Sequence, residues 1–367
     1  TVAVLAVATT LQPAMVLIVA GPMFGERPTR ASIEALEAFL EEQLGPLLDS
    51  IRADETPIVA MGGSIRNLAR AVQVESSYPL DLVHNYRLHR EPFEAIVAEL
   101  IGMNATERAR RFDINPDRAD ILPAAALVFR HLLRRSGRST LRLSGNGVRE
   151  GAFFRIFLSA PHRLPDVTRF GIQNLAMQYS QTEPHVARVR GLAARLFEIL
   201  TPLHDLSARD LQLLDAAATL HDIGMTVGYH RHHKHGAYLA LNRPLPGLEH
   251  REQALIALLI RYHRKGQPTV SPYGSLMRPE DKLRLKQLAA CLRLAEQLER
   301  SRTGRVRDLT ARIGDSEVRL ETHAHEHPVV EIWEARKHAD LFESAFGRRL
   351  EIDSVVDPDP PSRSLIV

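Results

Sequence analysis

Apolar residues recur at helical spacing over much of the chain, and a long stripe lies between Thr29 and Ile51. The stripe consists of Ile33, Leu36, Phe39, Leu40, Leu44 and Leu47. Steps of three and four residues place these side chains on one face of a helix. The pattern therefore predicts one amphipathic helix over Thr29 to Ile51.

A strand, a glycine turn and a helix follow one another twice. Ile58 to Met61 form a short apolar run before Gly62-Gly63-Ser64, and Leu141 to Leu143 form another before Gly145 and Gly147. This order predicts an α/β layer with functional loops at the strand ends. The backbone N–H groups of such turns can face a phosphate where the next helix begins, although most such turns only connect a strand to a helix.

Potential chemistry is densest between Leu213 and Gly236. The dipeptide His221-Asp222 continues the apolar stripe of a predicted helix that Gly224 ends. A buried histidine and carboxylate need partners, because an unpaired buried charge is costly. His230, His232, His233 and His235 follow within a short distance.

Two other histidines have matching positions on helices. His185 follows Pro184 at a predicted helix start, and His263 lies near the end of a helix that Gly266 stops. Together with His221 and Asp222 they would form a nitrogen and oxygen site of the kind that divalent metals accept. The alternative is that His221 and Asp222 hydrogen-bond across a packed helical core.

The two ends of the chain carry weaker patterns. Residues 1–21 have no charge and predict two short buried strands broken at Gln12-Pro13, with a membrane or signal segment as the alternative. The segment from Val306 to Ile352 predicts strands through PVVEIWEA and then an amphipathic helix. His323, His325 and His327 would share one strand face, which is either exposed or a metal site. The tail DPDPPSRS is expected to be flexible.

Composition is that of an ordinary globular chain of two or three domains, with 367 residues, 44% hydrophobic and 25% charged. The single Cys291 excludes a disulfide framework within the chain and favours a reducing, cytoplasmic compartment. The formal charge is only +3, but basic clusters at 231–235 and 261–265 could attract a polyanion. Solvated helix ends are the alternative for each cluster.

The order of a single His, then His-Asp, then further histidines on helices resembles the HD superfamily of metal-dependent phosphohydrolases. That superfamily usually closes its site with a later Asp. Here the corresponding stretch, CLRLAEQLERSR, offers only Glu296 or Glu299 as a ligand in place of that Asp.

Longer motifs carry a second resemblance. They are MGGSIRNLAR, RADILPAAALVF with LRLSGNGVREG, LHDIGMTVGYHRHHKHGAYLALN, RYHRKG and EARKHADLFESAFGRRL. In this order, over about residues 25–352, the chain is similar to the exopolyphosphatase and guanosine pentaphosphate phosphatase family.

The resemblance implies α/β plus all-α architecture. It implies a partial ribonuclease-H-like domain of the actin-like ATPase type at 1–150, an HD-like helical domain at 151–305 and a small α+β C-terminal domain at 306–367. It further implies release of terminal phosphate from polyphosphate, or of the 5′ phosphate from guanosine pentaphosphate, with Mg²⁺. A homodimer without nucleic-acid or membrane partners is expected, and a second divalent metal could occupy the HD-like site.

Candidate site residues follow in three sets. The set implied to bind phosphate is Gly62, Gly63, Ser64, Arg66, Gly145, Gly147 and Arg149. The set proposed for polyanion contact is Arg231, His233, Lys234, His235, Arg264 and Lys265; alternatively, its histidines cap the helix that contains AYLALN. The metal set is His185, His221, Asp222 and His263.

The family's first phosphate loop, its catalytic Glu and its DxGGGS-type loop do not occur in the sequence, so the chain is expected to begin inside the second domain. Three hypotheses follow. The first is an exopolyphosphatase-type phosphohydrolase that could be inactive as this chain. The second is an HD-type nucleotide phosphohydrolase, and the third is a non-catalytic module that binds polyanions or alarmones.

Overall fold

A computed structural model describes residues 27–52, 57–179 and 184–356. The described residues form two compact units, which divide between Arg163 and Leu164. The predicted strands of residues 1–21 and the tail from Asp357 lie outside the described residues. The three-domain division with boundaries at 150 and 305 stays a prediction.

The first unit combines helices with a three-stranded sheet. Its helices are α1 Arg30–Arg52, α2 Gly63–Glu75, α3 Arg90–Ile101, α4 Ala105–Phe112, α5 Pro116–Ala119, α6 Leu122–Arg135 and α7 Val148–Phe157. Its strands are β1 Val59–Met61, β2 Arg87–His89 and β3 Thr140–Ser144, in the order β1-β3-β2. β3 pairs parallel with β1 and antiparallel with β2.

The helix predicted from the first apolar stripe is confirmed as α1. Leu36, Leu40 and Leu44 on its inner face are buried in the core of the unit, and removing such side chains from water is the main gain that holds a helix in place. Ion pairs from Arg130 and Arg135 of α6 to acidic residues of α1 flank this contact.

Both predicted strand–turn–helix segments are also confirmed. The glycine turn after β1 leads into α2, and that after β3 leads into α7. Because β1 and β3 are parallel neighbours, their carboxyl ends lie at the same edge of the sheet. The two glycine turns therefore lie side by side.

The second unit is mainly helical. Its helices are α8 Val167–Gln178, α9 Pro184–Ile199, α10 Ala208–Leu220, α11 His232–Asn242, α12 His250–Tyr262, α13 Asp281–Leu298, α14 Val329–Arg336 and α15 Ala339–Phe346, with 3₁₀ helices at Thr201–Leu203, Ile223–Thr226 and Ser271–Leu276. Its strands are β4 Val306–Ile313, β5 Glu317–Ala324 and β6 Arg349–Val356, in the order β4-β5-β6.

Helix α13 is the central element of this unit. Its side chains are buried almost continuously from Leu285 onward, and it contacts α9, α12 and α15. The same apolar core continues into the sheet through Leu309 and Leu320. Cys291 lies in this core, and burial raises the pKa of its thiol to about 12.

Two predictions for the C-terminal segment are wrong. The residues VVEIWEAR form helix α14 rather than a strand. Pro328, which directly precedes this helix, has no backbone N–H to donate to a neighbouring strand, and proline is tolerated at the start of a helix. The three alternating histidines do not share a strand face, because β5 ends at Ala324. His323 contacts Thr310 and His327 contacts Ser354 instead.

Among the described residues, no helix is both long and apolar enough to cross a membrane.

Candidate metal centre and its cationic cavities

The dipeptide His221-Asp222 lies at the end of α10 rather than inside a helix that runs to Gly224. α10 ends at Leu220, and Asp222 precedes the 3₁₀ helix Ile223–Thr226. The chain turns here because Gly224 packs directly against the backbone of α11, where a Cβ would overlap His232 and Gly236. The turn points His221 and Asp222 into the unit, where both are buried.

Backbone carbonyl groups fix the orientation of three histidine rings. The Nδ1 atoms of His221 and His263 lie 2.7 Å from the carbonyl oxygens of Ala218 and Ile260. That of His232 lies 3.0 Å from the carbonyl oxygen of Tyr229. Since a carbonyl oxygen only accepts hydrogen bonds, each Nδ1 donates, and in the neutral ring each Nε2 keeps its lone pair.

These Nε2 atoms converge with carboxylates in two groups of three side chains. In the first group, Glu296 Oε2 lies 3.3 Å from His185 Nε2 and 3.2 Å from His221 Nε2. The two Nε2 atoms lie 3.4 Å apart. All three side chains are buried.

The second group consists of Asp222, His232 and His263. His232 Nε2 lies 3.3 Å from Asp222 Oδ1 and 3.3 Å from His263 Nε2. The other carboxylate oxygen, Asp222 Oδ2, lies 3.7 Å from His221 Nε2. Asp222 therefore connects the second group to the first.

The charges of the metal-free centre follow from burial and from these contacts. Burial would lower the pKa of His221, but the carboxylates of Asp222 and Glu296 outweigh it and raise the pKa to about 9. Burial and the neighbouring charge of His221 lower the pKa of His263 to about 3. Burial also lowers the pKa of His232. His232 and His263 are therefore neutral near pH 7 and point two lone pairs at each other.

The donor set fits divalent metal ions. Asp222 Oδ1 and Glu296 Oε2 are buried, and they lie 3.3 Å from His232 Nε2 and 3.2 Å from His221 Nε2, respectively. Converging lone pairs repel one another unless a cation lies between them. Imidazole nitrogens with one or two carboxylates suit Zn, Mn or Fe ions.

The structure brings together all four residues of the predicted metal set and adds two. Glu296, which the sequence offered as an alternative to Glu299, contacts the first group. Glu299 instead accepts a hydrogen bond from the backbone N–H of Gly304 at 3.1 Å. His232 was not predicted, because several histidines crowd its segment and the sequence does not show which one faces inward.

Two cavities adjoin the centre. The larger, of about 580 Å³, is lined by Tyr229, His230, Arg231, His233, Lys234, Arg264, Lys265, Gln297, Arg300, Glu334 and His338. The smaller, of about 390 Å³, is lined by Met225, Tyr229, His232, Glu296, Arg300 and Arg302. The smaller cavity opens directly onto both ligand groups, since it contains His232 and Glu296.

Most of the predicted polyanion set lies on the larger cavity, with the exception of His235. Arg231, Lys234, Arg264 and Lys265 bring positive charge to it. His233 brings none near neutral pH, because burial lowers its pKa to about 4. The alternative that the histidines cap the next helix is wrong, because α11 begins at His232 and includes them, and its N-cap residue is Arg231.

The glycine turns of the first unit are held by internal hydrogen bonds. Arg66 donates through Nε to the carbonyl oxygen of Gly62 at 3.1 Å and through Nη1 to that of Gly145 at 3.3 Å. The N–H of Gly147 donates to Glu150 Oε2 at 2.7 Å. Ser64 and Arg149 lie in the first turns of α2 and α7, and phosphate contact by the residues of this set stays a prediction.

Comparison with known proteins relates both units of the chain to one family. Residues 22–160 match the Ppx/GppA phosphatase family, and residues 167–332 match domain III of Ppx/GppA phosphatases. The chain belongs to the Ppx/GppA phosphatase family. This confirms the resemblance found in the sequence.

Solved structures of relatives are similar over part of the chain. The Ppx/GppA phosphatase of Aquifex aeolicus, in its type II variant, is 25% identical over 39% of this chain and 47% of its own, with a TM-score of 0.33. An exopolyphosphatase from Cytophaga hutchinsonii is 18% identical over 36% and 43%, with a TM-score of 0.33. The chain thus spans less than half the length of these relatives.

Proposed function

We propose that the chain is part of a phosphohydrolase that releases terminal phosphate from inorganic polyphosphate, with guanosine pentaphosphate as the alternative substrate. The larger cationic cavity of the second unit is the observation that carries this proposal. A polyphosphate bears negative charge along its whole length, so a cavity edged by arginines and lysines raises its local concentration and fixes its path.

The proposed role of these cationic residues is to bind and orient the substrate. Arg264 and Arg300 can each present two N–H groups to one phosphate, whereas Lys234 and Lys265 act as point charges. Mg²⁺, the metal that the family implies, neutralises charge on the phosphoryl group when it is bound. Homodimerisation and a cytoplasmic location belong to the same proposal.

The test is polyphosphate binding by the full chain with Arg264→Ala and Lys265→Ala combined. We expect affinity for long-chain polyphosphate, measured by fluorescence anisotropy, to fall by about tenfold, or roughly 1.4 kcal/mol. Orthophosphate release with Mg²⁺ is measured in parallel. Arg312→Ala is the control, because Arg312 is an exposed cation on β4, and it should change affinity by less than about twofold. Equal binding by the double variant and the parent chain would contradict the proposal.

A second candidate function is metal-dependent hydrolysis of nucleotides at the buried centre, as in HD-type phosphohydrolases. The convergence of six ligand side chains beside an arginine-lined cavity favours it. A bound divalent ion would supply Lewis-acid polarisation and an activated water. The residues of this chain would hold the ion, orient the phosphate and limit access of bulk water.

The experiment for this candidate is Mn²⁺-dependent phosphate release from guanosine nucleotides, with a His221→Ala, Asp222→Ala variant. We expect release that chelation abolishes and that falls at least about hundredfold in the variant. Release that survives in the variant would assign the chemistry elsewhere. Binding of nucleotide or polyphosphate without any release would favour the non-catalytic module.

A further inference from the structure

Arg302 lies between the buried centre and the smaller cavity. Its Nη2 donates to Asp222 Oδ2 at 2.7 Å. Asp222 is almost completely buried, whereas the side chain of Arg302 is 40% exposed. Arg302 also lines the smaller cavity together with Arg300. One guanidinium group thus contacts a candidate metal ligand and is accessible to a molecule in the cavity.

The loop that carries Arg302 is anchored by buried groups on both sides. The N–H of Gly304 donates to Glu299, and its carbonyl oxygen accepts from Arg188 at 3.3 Å. Ser301 donates to the buried carboxylate of Glu331. The backbone of Arg302 has φ of 59°, a left-handed conformation that costs a non-glycine residue about 1–2 kcal/mol. The loop therefore holds Arg302 at this place against its own backbone preference.

The contact between Arg302 and Asp222 competes with a metal ion. Asp222 Oδ2 lies 3.7 Å from His221 Nε2 and 3.8 Å from His185 Nε2, so the oxygen that Arg302 binds faces the first ligand group. A divalent ion and a guanidinium on one carboxylate repel each other, and each weakens the binding of the other. An ion in the centre would therefore weaken the ion pair between Asp222 and Arg302.

We propose that Arg302 is a phosphate-binding residue of the smaller cavity and that metal binding releases it for this task. Without an ion, Arg302 neutralises Asp222. With an ion bound, its planar group turns to a phosphoryl group beside Arg300, because a guanidinium fork matches two phosphate oxygens. Metal and phosphate then each raise the affinity of the other. The inference rests on the metal centre of the second candidate function.

The probes are Mn²⁺ and inorganic phosphate, titrated by calorimetry into the full chain after chelation. In the parent chain, we expect phosphate affinity to rise at least about tenfold once Mn²⁺ is bound. Arg302→Ala should bind Mn²⁺ about tenfold more tightly, since the competing cation is gone. Its phosphate affinity should then rise by less than about threefold on adding Mn²⁺.

Arg300→Ala is the matched control, because Arg300 lines the same cavity, whereas the guanidinium group that pairs with Asp222 is that of Arg302. It should weaken phosphate binding by a similar factor with and without Mn²⁺, and change Mn²⁺ affinity by less than about threefold. Arg302→Lys keeps the charge but removes the fork, so its Mn²⁺ affinity should stay near that of the parent chain while phosphate binds more weakly. Thermal unfolding of each variant checks that it is folded.

The outcomes separate the two proposals. If the chain binds Mn²⁺ but Arg302→Ala leaves both Mn²⁺ affinity and the coupling unchanged, the role of Arg302 is wrong and the metal centre stands. If the chain binds no Mn²⁺, both are wrong. If it binds Mn²⁺ and phosphate with the expected coupling but releases no phosphate from nucleotides, Arg302 acts as proposed in a binding site without turnover.

Discussion

Glu296→Gln is expected to weaken binding of a divalent ion by the group of His185, His221 and Glu296 at least about hundredfold. Gln keeps the size of the side chain but removes the negative charge that faces two imidazole nitrogens. Losing a partner that only orients a ligand costs about 10–100-fold in metal affinity, and losing the ligand itself costs at least the upper end of that range. Metal content after dialysis, together with Mn²⁺ titration by calorimetry, measures the effect.

Glu299→Gln is the control for this prediction. Its carboxylate accepts from the N–H of Gly304, and a Gln oxygen can accept the same hydrogen bond. Metal affinity should therefore change by less than about threefold. Loss of metal affinity in Glu299→Gln alone would show that Glu299 is the ligand. Equal loss in both variants would show that neither residue is.

The pH dependence of metal affinity tests the same ligand group. In the metal-free chain His221 carries a proton below its pKa of about 9, and an ion can bind its Nε2 only after that proton has left. Ion binding at pH 7 should therefore release a proton, and affinity should rise with pH until it levels off above about 9. Titration in buffers of different ionisation enthalpy measures this release.

The choice between Glu296 and Glu299 shows where sequence patterns stop being informative. Both were open from the sequence, because the choice depends on where α13 ends. The helix ends at Leu298, so Glu296 still follows the helical rotation toward the centre, whereas Glu299 lies at the cap and turns to the loop. Helix ends are set by tertiary contacts within one or two residues, which periodicity does not resolve.

Elements that depend on local spacing were predicted well. The stripe of α1, the glycine turns after β1 and β3, and the helix positions of His185 and His263 follow from periodicity and from proline and glycine signals. Features that depend on packing were not. The inward position of His232 follows from the start of α11, and the arrangement of Arg302 against Asp222 joins segments far apart in the sequence.

Gly224→Ala is expected to destabilise the second unit by at least about 3 kcal/mol. A Cβ at this position would overlap the carbonyl oxygen of His232 and the backbone nitrogen of Gly236. Both atoms belong to the backbone of α11, which cannot move aside by changing a rotamer. Relief would require α11 to shift away from the turn that carries His221 and Asp222.

The midpoint of thermal unfolding should fall by about 6–12 °C, by the usual scaling for a unit of this size. Ion binding should also weaken, because His232 would move with α11. Gly228→Ala is the matched control. Nothing lies within 4 Å of its added Cβ, so its unfolding free energy should change by less than about 1 kcal/mol. If the unfolding free energy of Gly224→Ala lies within about 1 kcal/mol of that of the parent chain, α11 does not pack on this turn as described. The position of His232 in the second ligand group would then be wrong as well.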